Sequence, residues 1–274
     1  MKLGFRDLRM FQGDWDQLFT FAADVGADTI QIDLPPEADF DQLLALSATT
    51  GIGFSSITAM STRLLGPEIG AAQADCRRVE QAIAAAAALG APCVSQFAGN
   101  DPARSFDENI ATFKDVFSPL AEQAENAGVT LVFENCPLVG EQPPLVQNLA
   151  YCPAAWDAIF AAVPSQAVAI EFDTAHAPWL GIDVVRCIRE YADRIRHVHL
   201  KDCLIDPEAE YRYGRLDARF YRYGVPGAGG IDFVAVVAAL RAAGYNGSLT
   251  LDLRPATQET VRAGMNFMRS LLNP

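Results

Sequence analysis

The sequence contains no long, uncharged apolar run. Its most apolar stretch, residues 82–91, is short and rich in alanine, whereas a membrane-spanning helix needs about 20 apolar residues. The first ten residues, MKLGFRDLRM, also lack the apolar stretch of a signal peptide. We therefore expect a protein that does not interact with a membrane and that stays in the cytoplasm.

Basic residues are scarce, and the cysteines are not paired in motifs. The chain has 21 lysines and arginines against 34 aspartates and glutamates, which gives a formal charge of −13. Binding to a phosphate backbone requires a basic surface, so we expect no nucleic-acid partner. The six cysteines form no CxxC motif, a pattern typical of reduced thiols rather than of a disulfide framework. A small-molecule substrate remains the expected partner, and assembly into a homo-oligomer stays open.

Short apolar runs alternate with helical patterns along all 274 residues. The runs are mostly apolar on both faces, as parallel strands covered by helices must be, and they lie at residues 2–5, 29–34, 52–58, 93–97, 130–133, 168–172, 195–200 and 249–251. Helical patterns lie between them, including residues 15–25, 71–89, 106–127, 153–162, 183–191 and 233–243. Four of these patterns are followed by a glycine that favours a left-handed C-terminal cap, namely Gly26, Gly90, Gly128 and Gly244.

Eight strand–helix units in one chain predict an α/β fold, a single-domain (β/α)8 TIM barrel spanning residues 1–274. A doubly wound open sheet is the competing topology, but no GxGxxG motif follows the first strand. Residues 142–147 and 202–230 are predicted to be long loops. Both follow the carboxyl end of a strand, and such loops build the active-site face of a barrel.

Polar side chains collect at the carboxyl ends of the last four predicted strands, in the segments FENCP, FDTAH, HVHLKD and TLDL. These segments supply Glu134, Asn135, Asp173, His176, His197, His199, Lys201, Asp202 and Asp252. All three histidines of the chain are among them. Because side chains alternate along a strand, His197 and His199 share one face; if that face points into the barrel, His199 lies nearer the top.

Glu134, Asp173, His199 and Asp252 form an oxygen-rich, nitrogen-poor set of potential metal ligands. Each has an ordinary explanation when taken alone, because a strand-end carboxylate often caps a helix or faces solvent. Their occurrence at four equivalent structural positions predicts one divalent metal ion, with Mn²⁺ preferred and Mg²⁺, Co²⁺ or Zn²⁺ as alternatives. Such a cation would polarise a carbonyl and stabilise an enediolate, while carboxylates beside it move a proton to and from carbon.

The segments FENCP, FDTAH, RIRHVHLKD, VPGAGGIDF and AAGYNGSLTLDL resemble the xylose-isomerase-like barrel superfamily, in particular its sugar phosphate isomerases and epimerases. The resemblance runs nearly the whole length of the chain and is strongest from Glu134 onward. It implies metal ligands at Glu134, Asp173 and His199. The fourth ligand of the family is a glutamate, and this chain has Asp252 there, whose side chain is one methylene shorter.

The resemblance also implies substrate contacts. His176 matches a histidine that contacts a substrate oxygen, and Lys201 and Asp202 follow the pattern of relatives that act on cyclic or keto sugars. The segment YRYGRLDARFYRYGVPG resembles a branch with a long aromatic loop, in which Arg222 and its tyrosine neighbours cover the substrate. We expect His197 and Asn135 to support the ligands rather than to bind metal or substrate.

These features predict a divalent-metal-dependent isomerase or epimerase that acts on a small keto- or aldo-sugar, with or without a phosphate or glycoside group. Glu134 and Asp252 are the expected catalytic pair, one removing a proton from carbon and the other returning it. A lyase or dehydratase on the same metal site, for keto-sugar dehydration or 3-keto-glycoside cleavage, is the first alternative, because the superfamily holds several reactions. An endonuclease IV-like phosphodiesterase is a remote one, since it needs more histidines and a basic DNA groove. A barrel that has lost its metal and its catalysis is the last alternative.

Overall fold

The computed structural model describes residues 1–7, 9–138 and 146–273. All eight predicted strands are present, and each boundary lies within one residue of its predicted position. The barrel strands are β1 (Lys2–Arg6), β2 (Thr29–Asp33), β3 (Gly53–Thr58), β4 (Cys93–Gln96), β5 (Thr130–Glu134), β6 (Val168–Asp173), β7 (Ile195–Leu200) and β10 (Ser248–Leu251). Two further strands, β8 (Asp202–Ile205) and β9 (Tyr221–Gly224), lie outside the barrel.

The eight barrel strands pair in parallel in the closed order β1-β10-β7-β6-β5-β4-β3-β2. Pairing of β1 with both β2 and β10 closes the cylinder, so the predicted (β/α)8 barrel is confirmed and the open sheet is wrong. The register places Asp173 of β6 and Thr250 of β10 on either side of His199 of β7. Residues distant in sequence therefore meet at one end of the barrel.

In the described part of the chain, ten α-helices accompany the strands. They are α1 (Trp15–Asp24), α2 (Phe40–Thr50), α3 (Ile69–Leu89), α4 (Phe106–Asn126), α5 (Pro153–Ala162), α6 (His176–Trp179), α7 (Val184–Glu190), α8 (Pro207–Tyr213), α9 (Phe233–Ala242) and α10 (Gln258–Leu272). The four predicted cap glycines all adopt positive φ angles, between 64° and 71°. Among the described residues, no helix combines the length and apolarity needed to cross a membrane.

The interior of the barrel is polar, whereas the layer between strands and helices is apolar. Buried side chains such as Phe19, Phe117 and Phe172 belong to the main apolar cluster of buried residues. Inside the barrel, Gln31 Nε2 donates to Ser95 Oγ at 2.9 Å. A polar interior provides hydrogen-bond partners for charged groups that an apolar interior would destabilise.

The segment 202–230 was predicted to be a loop, and this prediction is wrong. Strands β8 and β9 form an antiparallel pair, with Cys203 opposite Tyr223, and α8 lies between them. We call this unit, residues 202–224, the hairpin. Of the other predicted loop, residues 142–145 lie outside the described residues.

Candidate metal centre and active site

A cavity of about 370 Å³ opens at the carboxyl ends of the barrel strands. Its walls include Arg6, Glu134, His176, Lys201, Tyr223 and Asp252. Active sites of TIM barrels occupy this end, because the loops there can vary without disturbing the barrel. A larger cavity of about 500 Å³ beside α2 and α3 is lined mainly by proline, alanine and other apolar side chains. The polar and charged residues that line the smaller cavity therefore make it the candidate active site.

The four predicted metal ligands meet at the base of this cavity. Glu134, Asp173, His199 and Asp252 each offer one ligand atom, and the four atoms lie within 4.8 Å of one another. His199 Nδ1 lies 2.8 Å from Glu134 Oε1 and 4.0 Å from an oxygen of each aspartate. All four side chains are buried.

The donor set fits a divalent cation. Three carboxylates and one imidazole nitrogen suit Mn²⁺, Mg²⁺ or Co²⁺, and Zn²⁺ accepts the same ligand types. Asp252 Oδ2 lies 4.0 Å from His199 Nδ1, and Asp252 Oδ1 is buried without a hydrogen-bond partner among the described residues. The shorter side chain of Asp252 therefore does not remove this position from the cluster.

Groups deeper in the barrel hold His199 in place. Its Nε2 lies 2.8 Å from Gln31 Oε1 and 3.2 Å from Glu171 Oε1, so Nδ1 is the nitrogen that faces the other ligands. Burial lowers the pKa of His199, but the charge of Glu171 and hydrogen bonds to Glu134 and Glu171 outweigh it and raise the pKa to about 10. Such outer contacts fix the ring orientation of a metal-binding histidine.

His197 lies one layer below, in the interior of the barrel. Its Nδ1 is 2.6 Å from Glu171 Oε1, and its Nε2 is 2.9 Å from Thr250 Oγ1. Burial lowers the pKa of His197, which favours a neutral ring that donates to Glu171. The predicted supporting role of His197 agrees with this position.

Lys201 lies between two of the potential ligands. Its Nζ is 2.8 Å from Asp173 Oδ2 and 2.6 Å from Asp252 Oδ2. Burial alone would lower the pKa of Lys201, but the charges of Asp173 and Asp252 raise it well above its ordinary value. The ammonium group is therefore charged and faces the cavity.

His176 and Asn135 take up the other predicted positions. His176 Nε2 lies 3.4 Å from Asp173 Oδ2 and 3.9 Å from Glu134 Oε1, and burial lowers its pKa. A neutral His176 can donate a hydrogen bond to a substrate oxygen. Asn135 accepts a hydrogen bond from the backbone N–H of Asp173 at 2.7 Å and so fixes the end of β6.

The family model that describes the xylose isomerase-like TIM barrel matches residues 19–271. The chain belongs to this family. A match of this length, together with the closed barrel and its ligand cluster, also confirms the resemblance found in the sequence.

Relatives of this xylose isomerase-like barrel include enzymes of more than one reaction class. Inosose dehydratase from Geobacillus kaustophilus is 41% identical over 85 residues, which are 30% of this chain and 28% of that enzyme. The 3-keto-D-glucoside 4-epimerase of E. coli has a TM-score of 0.79 at 19% identity, over all of both chains. An L-ribulose 3-epimerase has a TM-score of 0.76 at 21% identity, over 99% of this chain and 94% of that one. The sequence match thus spans less than a third of the dehydratase, and the structural matches establish the fold alone.

Two residues predicted to bind substrate lie elsewhere in this xylose isomerase-like barrel. Asp202 does not line the cavity, because its carboxylate accepts hydrogen bonds from the backbone N–H groups of Gly227, Gly229 and Ile231. Arg222 is exposed on the hairpin, since side chains alternate along β9 and Tyr223 is the neighbour that lines the cavity. The structure therefore places neither Asp202 nor Arg222 on the cavity wall, where Tyr223 lies instead.

Two residues of the site, Glu171 and Arg6, were missed from the sequence, whereas Tyr223 was expected there only as a tyrosine neighbour of Arg222. Glu171 contacts both barrel histidines, and its position two residues before Asp173 in the same strand could have revealed it. Tyr223 places its hydroxyl 3.4 Å from His176 Nδ1, and its ring centroid 5.0 Å from Lys201 Nζ. Arg6 lies at the end of β1, where no sequence feature marks it.

Proposed function

We propose that this chain is a divalent-metal-dependent isomerase or epimerase of a small keto- or aldo-sugar. The observation that carries the proposal is the meeting of Glu134, Asp173, His199 and Asp252 at the base of an open cavity. A divalent cation held by these four residues would supply Lewis-acid polarisation of a substrate carbonyl. The cavity volume suits a monosaccharide better than a polymer.

In this proposal, Glu134 and Asp252 exchange a proton with substrate carbon. Glu134 ends β5 and Asp252 directly follows β10, and β6 and β7 lie between these two strands in the barrel, so the two carboxylates approach the cavity from different sides. One carboxylate removes the proton beside the carbonyl and the other returns it, on the opposite face for an epimerase or at the neighbouring carbon for an isomerase. The charged Lys201 and the neutral His176 stabilise negative charge that develops on substrate oxygens.

A lyase or dehydratase is the second candidate. The name inosose dehydratase of the relatives matched in sequence favours it. Proton removal is the same first step, after which the electron pair expels a β-hydroxyl group that leaves as water once it is protonated. The two candidates therefore differ in the step after proton removal and not in the residues that begin the reaction.

The test uses protein purified without chelators and analysed for bound metal. A panel of keto- and aldo-sugars is incubated with it in D₂O and followed by NMR. An isomerase or epimerase gives a product of unchanged composition with deuterium at the exchanged carbon, whereas a dehydratase gives a product that has lost water.

The variant Glu134→Gln tests the role of this carboxylate, because it keeps the size of the side chain and removes its basicity. We expect it to abolish turnover while circular dichroism and the melting temperature show an intact fold. Near-normal turnover by this variant, or full activity of protein stripped of metal, would overturn the proposal.

A further inference from the structure

Arg6 is a buried guanidinium with few hydrogen bonds. Its side chain is 9% exposed, and among the described residues its one hydrogen bond goes to the thioether of Met60, at 3.9 Å. Its Nε has no partner in the same set of residues. A guanidinium carries five N–H donors, and buried donors in native proteins are normally satisfied.

The neighbouring carboxylates do not satisfy Arg6. Its terminal nitrogens lie 3.6 Å from Asp252 Oδ1 and 3.7 Å from Asp33 Oδ1, which is beyond hydrogen-bond distance. Asp252 instead engages Lys201 through its other oxygen, Oδ2, at 2.6 Å. Arg6 lines the cavity, so its guanidinium borders the space that a ligand would occupy.

Arg254 lies beside Arg6 at the cavity wall. Strands β1 and β10 are paired, with Phe5 opposite Leu251, and this register brings Arg6, the last residue of β1, near the residues that follow β10. Arg254 Nη1 is 3.6 Å from the same oxygen of Asp252, and its side chain is about half exposed. Two guanidinium groups thus flank one carboxylate oxygen, and neither donates a hydrogen bond to it.

The local charge contrasts with that of the whole chain. Acidic residues outnumber basic ones by 34 to 21, yet Arg6, Arg254 and Lys201 all line this one small cavity. Glu134 and Asp252 line the same cavity, and a divalent cation held there would offset their charge, so that the three basic groups raise the local concentration of anions. Guanidinium groups in addition match the geometry of a carboxylate or phosphate.

We propose that Arg6 and Arg254 bind an oxyanion carried by the substrate, so that the enzyme acts on an acidic sugar. The anionic group, a carboxylate or a phosphate, lies on the β1–β10 side of the cavity. The reacting carbon lies between Glu134 and Asp252. This inference rests on the proposed function for the identity of the sugar, but anion binding itself can be measured without turnover.

The experiment is calorimetric titration of the metal-loaded full chain. D-glucuronate and D-glucose 6-phosphate are each compared with D-glucose, and inorganic phosphate is titrated separately. We expect at least one anionic sugar to bind tenfold or more tightly than glucose, and the tighter of the two identifies carboxylate or phosphate as the preferred group. The variant Arg254→Gln should reduce this preference about tenfold or more, because it removes a charged hydrogen-bond donor.

The Arg254→Gln variant is sufficient to test the anion site, because the half-exposed side chain of Arg254 can be replaced without disturbing the core. Arg6→Gln provides a second measurement, with its melting temperature as a check on folding. The matched control is Arg186→Gln, which removes an exposed arginine of α7 that pairs with Glu190. Equal binding of anionic and neutral sugars by the wild type would overturn the inference. An unchanged preference in Arg254→Gln, or an equal loss in the Arg186 control, would do the same.

Failure of the proposed reaction gives a different result. If the chain binds anionic sugars through Arg254 but exchanges no deuterium into them, the anion site stands and the assigned reaction is wrong. If deuterium exchange occurs with neutral sugars alone, the reaction stands and the anion site is wrong.

Discussion

The Nζ atom of Lys201 lies 2.6 Å from Oδ2 of Asp252, and both side chains are buried. Replacing Lys201 with methionine keeps the length of the side chain and leaves buried carboxylates without a counter-charge. We expect the free energy of unfolding to fall by about 3–5 kcal/mol in EDTA, the cost typical of a broken buried ion pair. Added Mn²⁺ should recover part of this loss, because a ligand that binds the folded state alone stabilises it.

Urea denaturation with EDTA and with MnCl₂ measures both effects of the Lys201 substitution. Lys114→Met is the control, because Lys114 is an exposed residue of α4. Equal losses in the two lysine variants, or a loss at Lys201 that Mn²⁺ leaves unchanged, would contradict the expected charge balance.

Glu171 should influence metal binding although it is not one of the four expected ligands. Its Oε1 lies 3.2 Å from His199 Nε2, and Glu171→Gln removes the charge that orients this ring. We expect metal affinity, measured by competition with a chelator, to fall by about 10–100-fold. The exposed Glu190→Gln serves as the control, and wild-type affinity in the Glu171 variant would exclude the orienting role.

Tyr223 and Arg222 should differ in their effect on turnover. Tyr223 presents its hydroxyl to His176 inside the cavity, whereas Arg222 points to solvent. Tyr223→Phe loses one hydrogen bond, for which we expect kcat/KM to fall about threefold to tenfold. Arg222→Ala should stay within about twofold of the wild type, and a larger loss at Arg222 than at Tyr223 would restore the original sequence assignment.

Asp202 should be important for stability rather than for substrate affinity. Its carboxylate accepts hydrogen bonds from Gly227, Gly229 and Ile231, at 2.8–3.1 Å. Asp202→Ala leaves these backbone donors unpaired, and we expect a loss of about 2–4 kcal/mol in urea denaturation. Asp206→Ala removes only an exposed helix cap and should cost about 1 kcal/mol. A variant of Asp202 with wild-type stability and a raised KM would indicate a substrate contact after all.

Asp75 should make the stability of the β3–α3 connection depend on pH. It accepts hydrogen bonds from Arg63 Nε at 2.9 Å and from Ser61. Burial raises the pKa of Asp75, but the hydrogen bonds from Arg63 and Ser61 and the charge of Arg63 outweigh it and lower the pKa. The folded state therefore binds this proton less readily than the unfolded state does.

The stabilising contribution of Asp75 is consequently complete above the unfolded pKa of about 3.9 and disappears as the pH falls through the lower folded value. The difference in unfolding free energy between the wild type and Asp75→Asn should shrink between about pH 5 and pH 2. Urea denaturation across this range measures it, and a constant difference would show that the carboxylate is not responsible.

The barrel and its ligand cluster could be predicted because their sequence signals are local and repeated. Each buried parallel strand is a short apolar run, and the polar residue that ends it must lie at the same rim as the others. The alternation of side chains also predicted that His197 and His199 share a face, and both are buried inside the barrel. Glu171 obeys the same alternation relative to Asp173 and could have been included.

The hairpin could not be predicted in the same way. Its two strands have four residues each and pair across an intervening helix, so no adjacent turn marks them. With no strand assigned, nothing indicated whether Arg222 or Tyr223 faces the cavity. Asp202 was misplaced for the same reason, because its partners are backbone groups of a segment whose path the sequence did not reveal.

The hairpin contributes to the cavity wall without belonging to the barrel. It supplies Tyr223 to the cavity wall, yet its strands pair with each other and not with the closed barrel. A change in the length of this segment therefore need not disturb the ligand cluster on the barrel. The shape of the cavity mouth can thus vary independently of the groups at the cavity base.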